Sequence, residues 1–311
     1  MLSLNNKKYY LGVEIGGTNL RYGVVDNSFS LIDFHKIPTI HFANSVDKIE
    51  YLKDLLTPLI NKYGKKNIIC ITMALASLMD KERTTVYSSP MIKGFENIPL
   101  VRLLEESMGL PVIIERDVNI LLLYEIRKQK RDASGIVSGI FVGTGLGCAM
   151  CIDGKIYKGS SGAACELGHI PVPGLTEQCK CGKKGCIELL TCGRVLEKIA
   201  SEHYKCNVED IFKLHGDDEL VLNTVRYLAI AIATKITILD PSYVILGGGV
   251  LDMEDFPIEF LISEIRENLR IPAPRETVEF VKASGDDEAG VVGAAINAYN
   301  ELNKCNYINN D

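Results

Sequence analysis

The chain has 311 residues, 47% of them hydrophobic and 24% charged, with a formal net charge of -6. That composition excludes a disordered or fibrous chain and fits a globular protein of about two domains; the acidic balance argues against a nucleic-acid partner, which demands a basic face. Ten cysteines spread unevenly over so long a chain are not a disulfide scaffold, no apolar run reads as a membrane span, and residues 1–8 are too polar for a signal peptide, so the expectation is a cytoplasmic protein with reduced thiols and no membrane partner.

Residues 9–15 are apolar and end at Gly16-Gly17, and a second apolar run covers 20–25. This pattern predicts a hairpin with a glycine turn. A third strand follows over 29–37. Val46, Ile49, Leu52, Leu55, Leu56, Leu59 and Ile60 recur at helical spacing and predict a helix over 45–63. A buried strand is expected over 67–73, a helix over 99–108, a short strand over 112–115 and a helix over 118–129. The same grammar then returns: strand 139–142, the turn Gly143-Thr144-Gly145-Leu146-Gly147, strand 148–152, and a return strand at 155–157 after Asp153-Gly154. A long helix over 220–239 stops at Asp240-Pro241, a buried strand over 243–246 ends in Gly247-Gly248-Gly249, and strand 278–283 precedes a closing helix over 288–302. The repeated strand, glycine turn and strand predict an α/β architecture in two related halves.

Three constellations carry chemistry. A turn tipped with Gly16-Gly17-Thr18 or Gly143-Thr144-Gly145 exposes backbone N–H groups and can form a nest for phosphate. Either turn alone is ordinary hairpin chemistry; two of them point to a nucleotide. Neither is a Walker A loop, since no Gly-Lys-Ser/Thr follows. Glu115-Arg116-Asp117-Val118-Asn119 falls where a strand gives way to a helix. Asp117 there is either an N-cap or a carboxylate at the carboxyl end of a strand, where catalytic groups collect in α/β sheets. The third is His169, Cys179, Cys181 and Cys186, flanked by Glu166 and Glu188. One His and three Cys fill a tetrahedral shell and leave no open position, so the metal they bind is structural. The small residues of Gly290-Val291-Val292-Gly293-Ala294-Ala295 suit either tight helix packing or a flat surface for adenosine.

These motifs, in this order, resemble the ROK family (repressors, uncharacterised frames and sugar kinases) along essentially the whole chain. The residues that carry the resemblance are Gly12-Val13-Glu14-Ile15-Gly16-Gly17-Thr18, Asp117-x-Asn119, Gly143 to Gly147, Glu166-Leu167-Gly168-His169, Cys179 to Glu188 and Leu246-Gly247-Gly248-Gly249. The resemblance implies a two-domain actin/hexokinase-like ATPase fold with a cleft between the domains. It places a small N-terminal domain at 1–116 with the closing helix 288–303 packed back on it, and a large domain at 117–287 with the zinc loop. It implies ATP-dependent phosphorylation of a hexose at its 6-hydroxyl. Asp117 would be the catalytic base, and Arg116, Asn119, Glu166, His169 and Glu188 the sugar ligands. Glu14, Gly16, Gly17, Thr18, Gly143, Thr144, Gly145, Gly248 and Gly249 would serve the nucleotide and its Mg²⁺. Structural Zn²⁺ would be held by His169, Cys179, Cys181 and Cys186, and the protein would be a homodimer.

The chain departs from the family pattern at four places. Glu14 stands where Asp is usual, Arg116 where a sugar-binding Asn is usual, Ala74-Leu75-Ala76-Ser77 in place of a Gly-x-Pro-Gly segment, and Met91 in place of an Asn after Ser-Pro. The D-allose kinase branch shares the Arg-Asp-Val-Asn wording, and resembles this chain around 166–171 and 240–257, so D-allose is the leading substrate. Glucose, N-acetylmannosamine and fructose are the alternatives. A repressor of the family would need a DNA-binding domain ahead of Gly12, and eleven residues are too few. A sugar sensor without catalysis is the remaining alternative.

Overall fold

The two related halves expected from the sequence are two five-stranded sheets of identical plan. A computed structural model describes residues 7–89, 92 and 94–308; Met91 lies outside them. In the first sheet β1 (Tyr9–Ile15), β2 (Asn19–Asp26) and β3 (Leu31–Pro38) form an antiparallel meander, with Ile15 opposite Leu20 across the first glycine turn. A short helix α1 (Thr39–Ala43) and the amphipathic α2 (Lys48–Tyr63) lead to β4 (Ile68–Leu75), which runs parallel to β1. Asp47 starts α2 by accepting the amides of Ile49 at 2.9 Å and Glu50 at 3.0 Å, the usual N-cap bond. The small hairpin β5 (Leu78–Met79) and β6 (Val86–Ser88) precedes α3 (Leu100–Met108), β7 (Val112–Arg116) and α4 (Asp117–Lys128). The strand order is β3-β2-β1-β4-β7. Leu52 and Leu56 of α2 bury against Leu11, Val13 and Met73 of the sheet.

The second sheet repeats the order with β8 (Ile136–Val142), β9 (Leu146–Ile152), β10 (Lys155–Ile156), β11 (Tyr243–Gly247) and β12 (Phe280–Lys282), arranged β10-β9-β8-β11-β12. Between β10 and β11 lie the cysteine loop, α5 (Gly193–Ile199) with a π turn after it, α6 (Ile211–His215) and α7 (Glu219–Leu239). After β11 come α8 (Ile258–Glu267), in which Ile258, Leu261 and Ile265 recur at helical spacing, and, beyond β12, the closing helix α9 (Ala289–Ile308).

One compact unit comprises Met1–Lys128, Lys158–Ala164 and Asp286–Asp311, and the other Gln129–Tyr157 and Cys165–Gly285. The division falls after α4, one helix beyond the boundary expected at 116, because α4 packs on α9. Gly293 permits that approach: a Cβ there would lie 2.6 Å from the Ile120 carbonyl oxygen. Gly12 serves the same purpose for β1, where a Cβ would meet the Val291 carbonyl at 2.5 Å. The small residues at 290–295 are thus used for helix packing, the plainer of their two readings.

The sequence expectation that no run reaches membrane length needs correction. Helix α7 is long and apolar enough to cross a bilayer by length and composition. Its burial pattern is that of a core helix: Val225, Leu228, Ile232 and Ile236 pack with Ile140, Val244 and Leu246 of the sheet.

Candidate active site

In the first unit the β1–β2 turn is closed by Gly16 N–H donating to Asn19 O at 3.0 Å. Thr39, just past β3, braces it: its amide donates to Thr18 O at 2.9 Å and its hydroxyl to Gly16 O at 2.8 Å. Gly17 and Thr18 are left exposed. Glu14, the penultimate residue of β1, accepts Arg21 Nη1 at 3.1 Å, and Arg21 Nη2 reaches Asp287 at 2.9 Å. Burial raises the Glu14 carboxyl above the ordinary range; Arg21 opposes this and the charge of Asp117 adds to it.

The β7–α4 junction is built around Glu115, a residue the sequence reading passed over. Glu115 is fully buried. Its Oε1 accepts Arg83 Nε at 2.7 Å, the Arg116 amide at 2.8 Å and Asn119 Nδ2 at 2.9 Å, while Lys158 Nζ stands 3.3 Å from Oε2. A buried carboxylate is costly unless paired in this way. The arrangement fixes the backbone that carries Asp117, which is half-buried at the first position of α4 and accepts the Val118 amide at 2.8 Å. Two expected sugar ligands are largely buried. Asn119 is only 2% exposed and its Nδ2 donates to Glu115. Arg116 is 8% exposed and donates through Nη1 to Ala164 O at 2.7 Å. Sequence order offered one signal for this hub, a Glu and an Asn at helical spacing around Asp117; the distant partners Arg83 and Lys158 gave none. The altered segment at 74–77 ends with Ser77 buried, its hydroxyl 3.0 Å from that of Ser89.

In the second unit Gly143 N–H donates to Gly145 O at 3.0 Å and closes the β8–β9 turn, leaving Thr144 exposed. Gly193 at the start of α5 donates to Gly143 O at 2.8 Å. A cavity of about 670 Å³ opens beside this turn, lined by Gly143, Thr144, Arg194, Val208, Gly249, Val250 and Met253 among others, with Glu209, Asp210 and Asp252 as acceptors at its walls. Its size and mix of apolar and polar groups fit a nucleoside. Gly249 lines it, whereas Gly248 is glycine for a backbone reason: its φ is +99° and a Cβ would meet Val142 backbone at 2.5 Å.

The Cys/His loop is gathered by short turns. Cys179 N–H donates to Lys183 O at 2.8 Å, and Gly182, at φ +91°, lets the chain double back between the ligands. The ligand atoms of His169, Cys179, Cys181 and Cys186 all lie within 4.8 Å of one another. Cys181 and Cys186 sulfurs are 3.6 Å apart and His169 Nδ1 is 3.8 Å from Cys179 Sγ. Zn–S bonds near 2.3 Å set tetrahedral sulfurs about 3.8 Å apart, so this donor set fits Zn²⁺. The other ring nitrogen, Nε2, faces Glu166 at 3.5 Å, as outer carboxylates do toward metal-bound imidazoles. Glu188 follows the last Cys. Its Oε2 accepts the Leu146 amide at 3.0 Å and its Oε1 accepts Arg194 Nη2 at 2.7 Å. Gly145 makes room for it, since a Cβ there would stand 2.6 Å from Oε2.

Residues 10–301 match the model of the ROK family. A glucokinase of Halalkalibacterium halodurans is 28% identical, covering 92% of this chain and 93% of that protein. An N-acetyl-D-glucosamine kinase of Vibrio parahaemolyticus is 31% identical, covering 92% and 98%. The solved structure of a ROK family glucokinase from Streptomyces griseus, in complex with glucose and AMPPNP, superposes with a TM-score of 0.79 at 26% identity over 94% of this chain and 99% of that one. Two sheets of one plan, two glycine turns and a match across nearly the whole length have one meaning: this chain belongs to the ROK family and has the hexokinase-like ATPase fold.

Proposed function

We propose that this chain is an ATP-dependent hexose kinase that phosphorylates the 6-hydroxyl of D-allose, with Asp117 as general base. The observation that carries the reading is the β7–α4 junction. A half-buried carboxylate stands at the carboxyl end of a parallel strand, its backbone fixed by the Glu115 hub, in a chain of a sugar-kinase family. The 6-hydroxyl proton passes to Asp117, the oxygen attacks the γ-phosphorus, and ADP departs. Phosphoryl transfer of this kind depends on positioning and charge neutralisation. Mg²⁺, when bound, supplies that neutralisation, and Glu14 is the acid offered toward it. The glycine turns at 16–18 and 143–145 take the phosphates, and the cavity at Gly249 takes the nucleoside, as its lining supports.

Glu166, His169 and Glu188 bind ring hydroxyls, with Zn²⁺ on His169, Cys179, Cys181 and Cys186 holding their segment in place. Arg116 in place of Asn gives the allose reading its basis: a charged donor answers a different hydroxyl pattern, and a donor left unpaired rejects the wrong epimer. The names of the two relatives favour a second reading, glucose or an N-acetylhexosamine as substrate. The nine described cysteines are in no disulfide, which suits a reducing, cytoplasmic setting.

The test is Mg²⁺·ATP turnover against aldohexoses, ketohexoses and N-acetylhexosamines, D-allose included, with Asp117→Asn in parallel. D-Allose is expected to give the highest kcat/KM. The variant should lose on the order of 10²–10⁴ in kcat, the usual worth of a general base, while sugar binding persists. Turnover within tenfold of wild type overturns the base; no turnover with any sugar overturns the kinase and leaves the sensor.

A further inference from the structure

Lys235 interrupts the apolar run of α7 and is buried, only 6% exposed. Its amine donates to Ala149 O at 2.7 Å. It also lies 2.6 Å from Cys148 Sγ and 3.9 Å from Cys165 Sγ. Its hydrogen bonds are thus one carbonyl and two thiols. Cys148 is 1% exposed on β9, and its thiol is hydrogen-bonded with that of Cys165. Cys165 is half-buried and holds a left-handed backbone at φ 65°, a conformation uncommon outside glycine that marks a constrained position. It is the residue immediately before Glu166. Phosphoryl transfer uses none of the three groups, and burying an ammonium is costly.

We propose that Cys148 and Cys165 are an oxidation site, converted by hydrogen peroxide to a disulfide with Lys235 stabilising the attacking thiolate. Cys165, the more exposed thiol, reacts first. Its sulfur attacks peroxide, an S–O bond forms, the O–O bond breaks and water leaves, giving a sulfenic acid. The Cys148 sulfur then attacks that sulfur; the S–S bond forms, the S–O bond breaks, and the hydroxide leaves as water with the thiol proton. In sum, two thiols and one peroxide give one disulfide and two waters: the thiols lose two electrons and the peroxide gains two. Burial first, and then the Cys165 thiol, hold the Cys148 thiol well above its ordinary value even with Lys235 opposing them; the amine 2.6 Å from Cys148 Sγ is the one group here that favours the thiolate as it forms. A disulfide requires sulfurs about 2.05 Å apart, and these two already share a hydrogen bond. Closing the bond ties the residue before Glu166 to β9. On the kinase reading above, that displaces Glu166 and weakens sugar binding.

The experiment treats the full-length, zinc-loaded protein with hydrogen peroxide, blocks free thiols, and maps peptides by mass spectrometry. The expected product joins the peptides of Cys148 and Cys165, two hydrogens lighter than their sum, is reversed by dithiothreitol, and is absent from Cys148→Ser and Cys165→Ser. Lys235→Met should slow its formation about tenfold, with Lys235→Arg, which keeps the charge, close to wild type. Two alkylated thiols at 148 and 165 while Cys179, Cys181 and Cys186 oxidise overturn the proposal, as does an oxygen-containing bridge from Lys235 to Cys148. The mapping does not depend on catalysis, so it stands apart from the fate of the kinase reading. A cross-link that leaves the sugar KM unchanged overturns the link to Glu166.

Discussion

A Cβ added at Gly290 would lie 2.4 Å from Cδ of Glu14, a separation no pair of carbons tolerates. The glutamate that stands where the family usually has aspartate is therefore matched by a glycine nearly 280 positions away in sequence. Gly290→Ala should cost about 1–3 kcal/mol of stability, the usual penalty of overpacking. Glu14→Asp retracts the carboxylate by one methylene, so the double variant should recover much of that loss. Denaturant unfolding of the four proteins gives the coupling energy directly, and additive losses would mean that Gly290 answers something else. The same carboxyl predicts a pH dependence. Its folded value is raised, by burial first, so between the ordinary glutamate value and the raised one the folded state holds more protons than the unfolded chain. Stability therefore falls as pH rises through that window, and Glu14→Gln should flatten the slope. The sequence made Glu14 visible as a departure and could not show its partner, because nothing local links β1 to α9. Glu115 escaped notice for the same reason: its partners Arg83 and Lys158 come from segments that only the folded chain brings together.

Elements with a clean period were legible, and those defined by tertiary contact were not. The β1–β2 and β8–β9 hairpins announce themselves by apolar runs around glycine turns, and α2 and α7 by their spacing. Helix α5 with its π turn and the small β5–β6 hairpin lack such a signal. The cysteine loop is the opposite case: it has little regular structure, yet its ligand spacing is diagnostic, because tetrahedral coordination needs donors and not periodicity. Its backbone hydrogen bonds are isolated turns and bridges and no sheet ladder, so its order should depend on the metal. A strong chelator is expected to release one Zn²⁺ per chain, to raise the sugar KM at least as much as it lowers kcat, and to leave far-UV circular dichroism close to that of the loaded protein, since neither sheet contributes a ligand. Metal analysis, kinetics and the spectrum check the three parts. Chelation that left sugar binding untouched would sever the metal from the sugar site, and loss of the sheet signal would make it a brace for the whole unit.

At the scale of the molecule, the duplication read from two glycine turns turned out to be complete. Both sheets have an antiparallel three-stranded start followed by two parallel strands, in the same order. Both α4 and α9 belong to the first unit; the closing helix was expected there, whereas the boundary expected at 116 left α4 out, and the glycine at 293 that lets the two helices meet is equally at home in any helix contact. Each unit has a hydrophobic core of its own, one around Leu11, Val13 and Met73, the other around Ile140, Val244 and Ile232. Separate cores predict separate cooperative transitions, so calorimetric unfolding should give an enthalpy larger than the van't Hoff value, the mark of more than one unit. The cavity at Gly143 and Gly249 lies wholly within the second unit. A non-hydrolysable ATP analogue that binds there stabilises that unit by mass action, about 2.7 kcal/mol at a hundredfold excess over Kd. The transition of the second unit should therefore move to higher temperature while that of the first stays nearer its place. A single two-state transition would show that the units unfold as one. Two transitions with only the first moved by the analogue would place the nucleotide elsewhere.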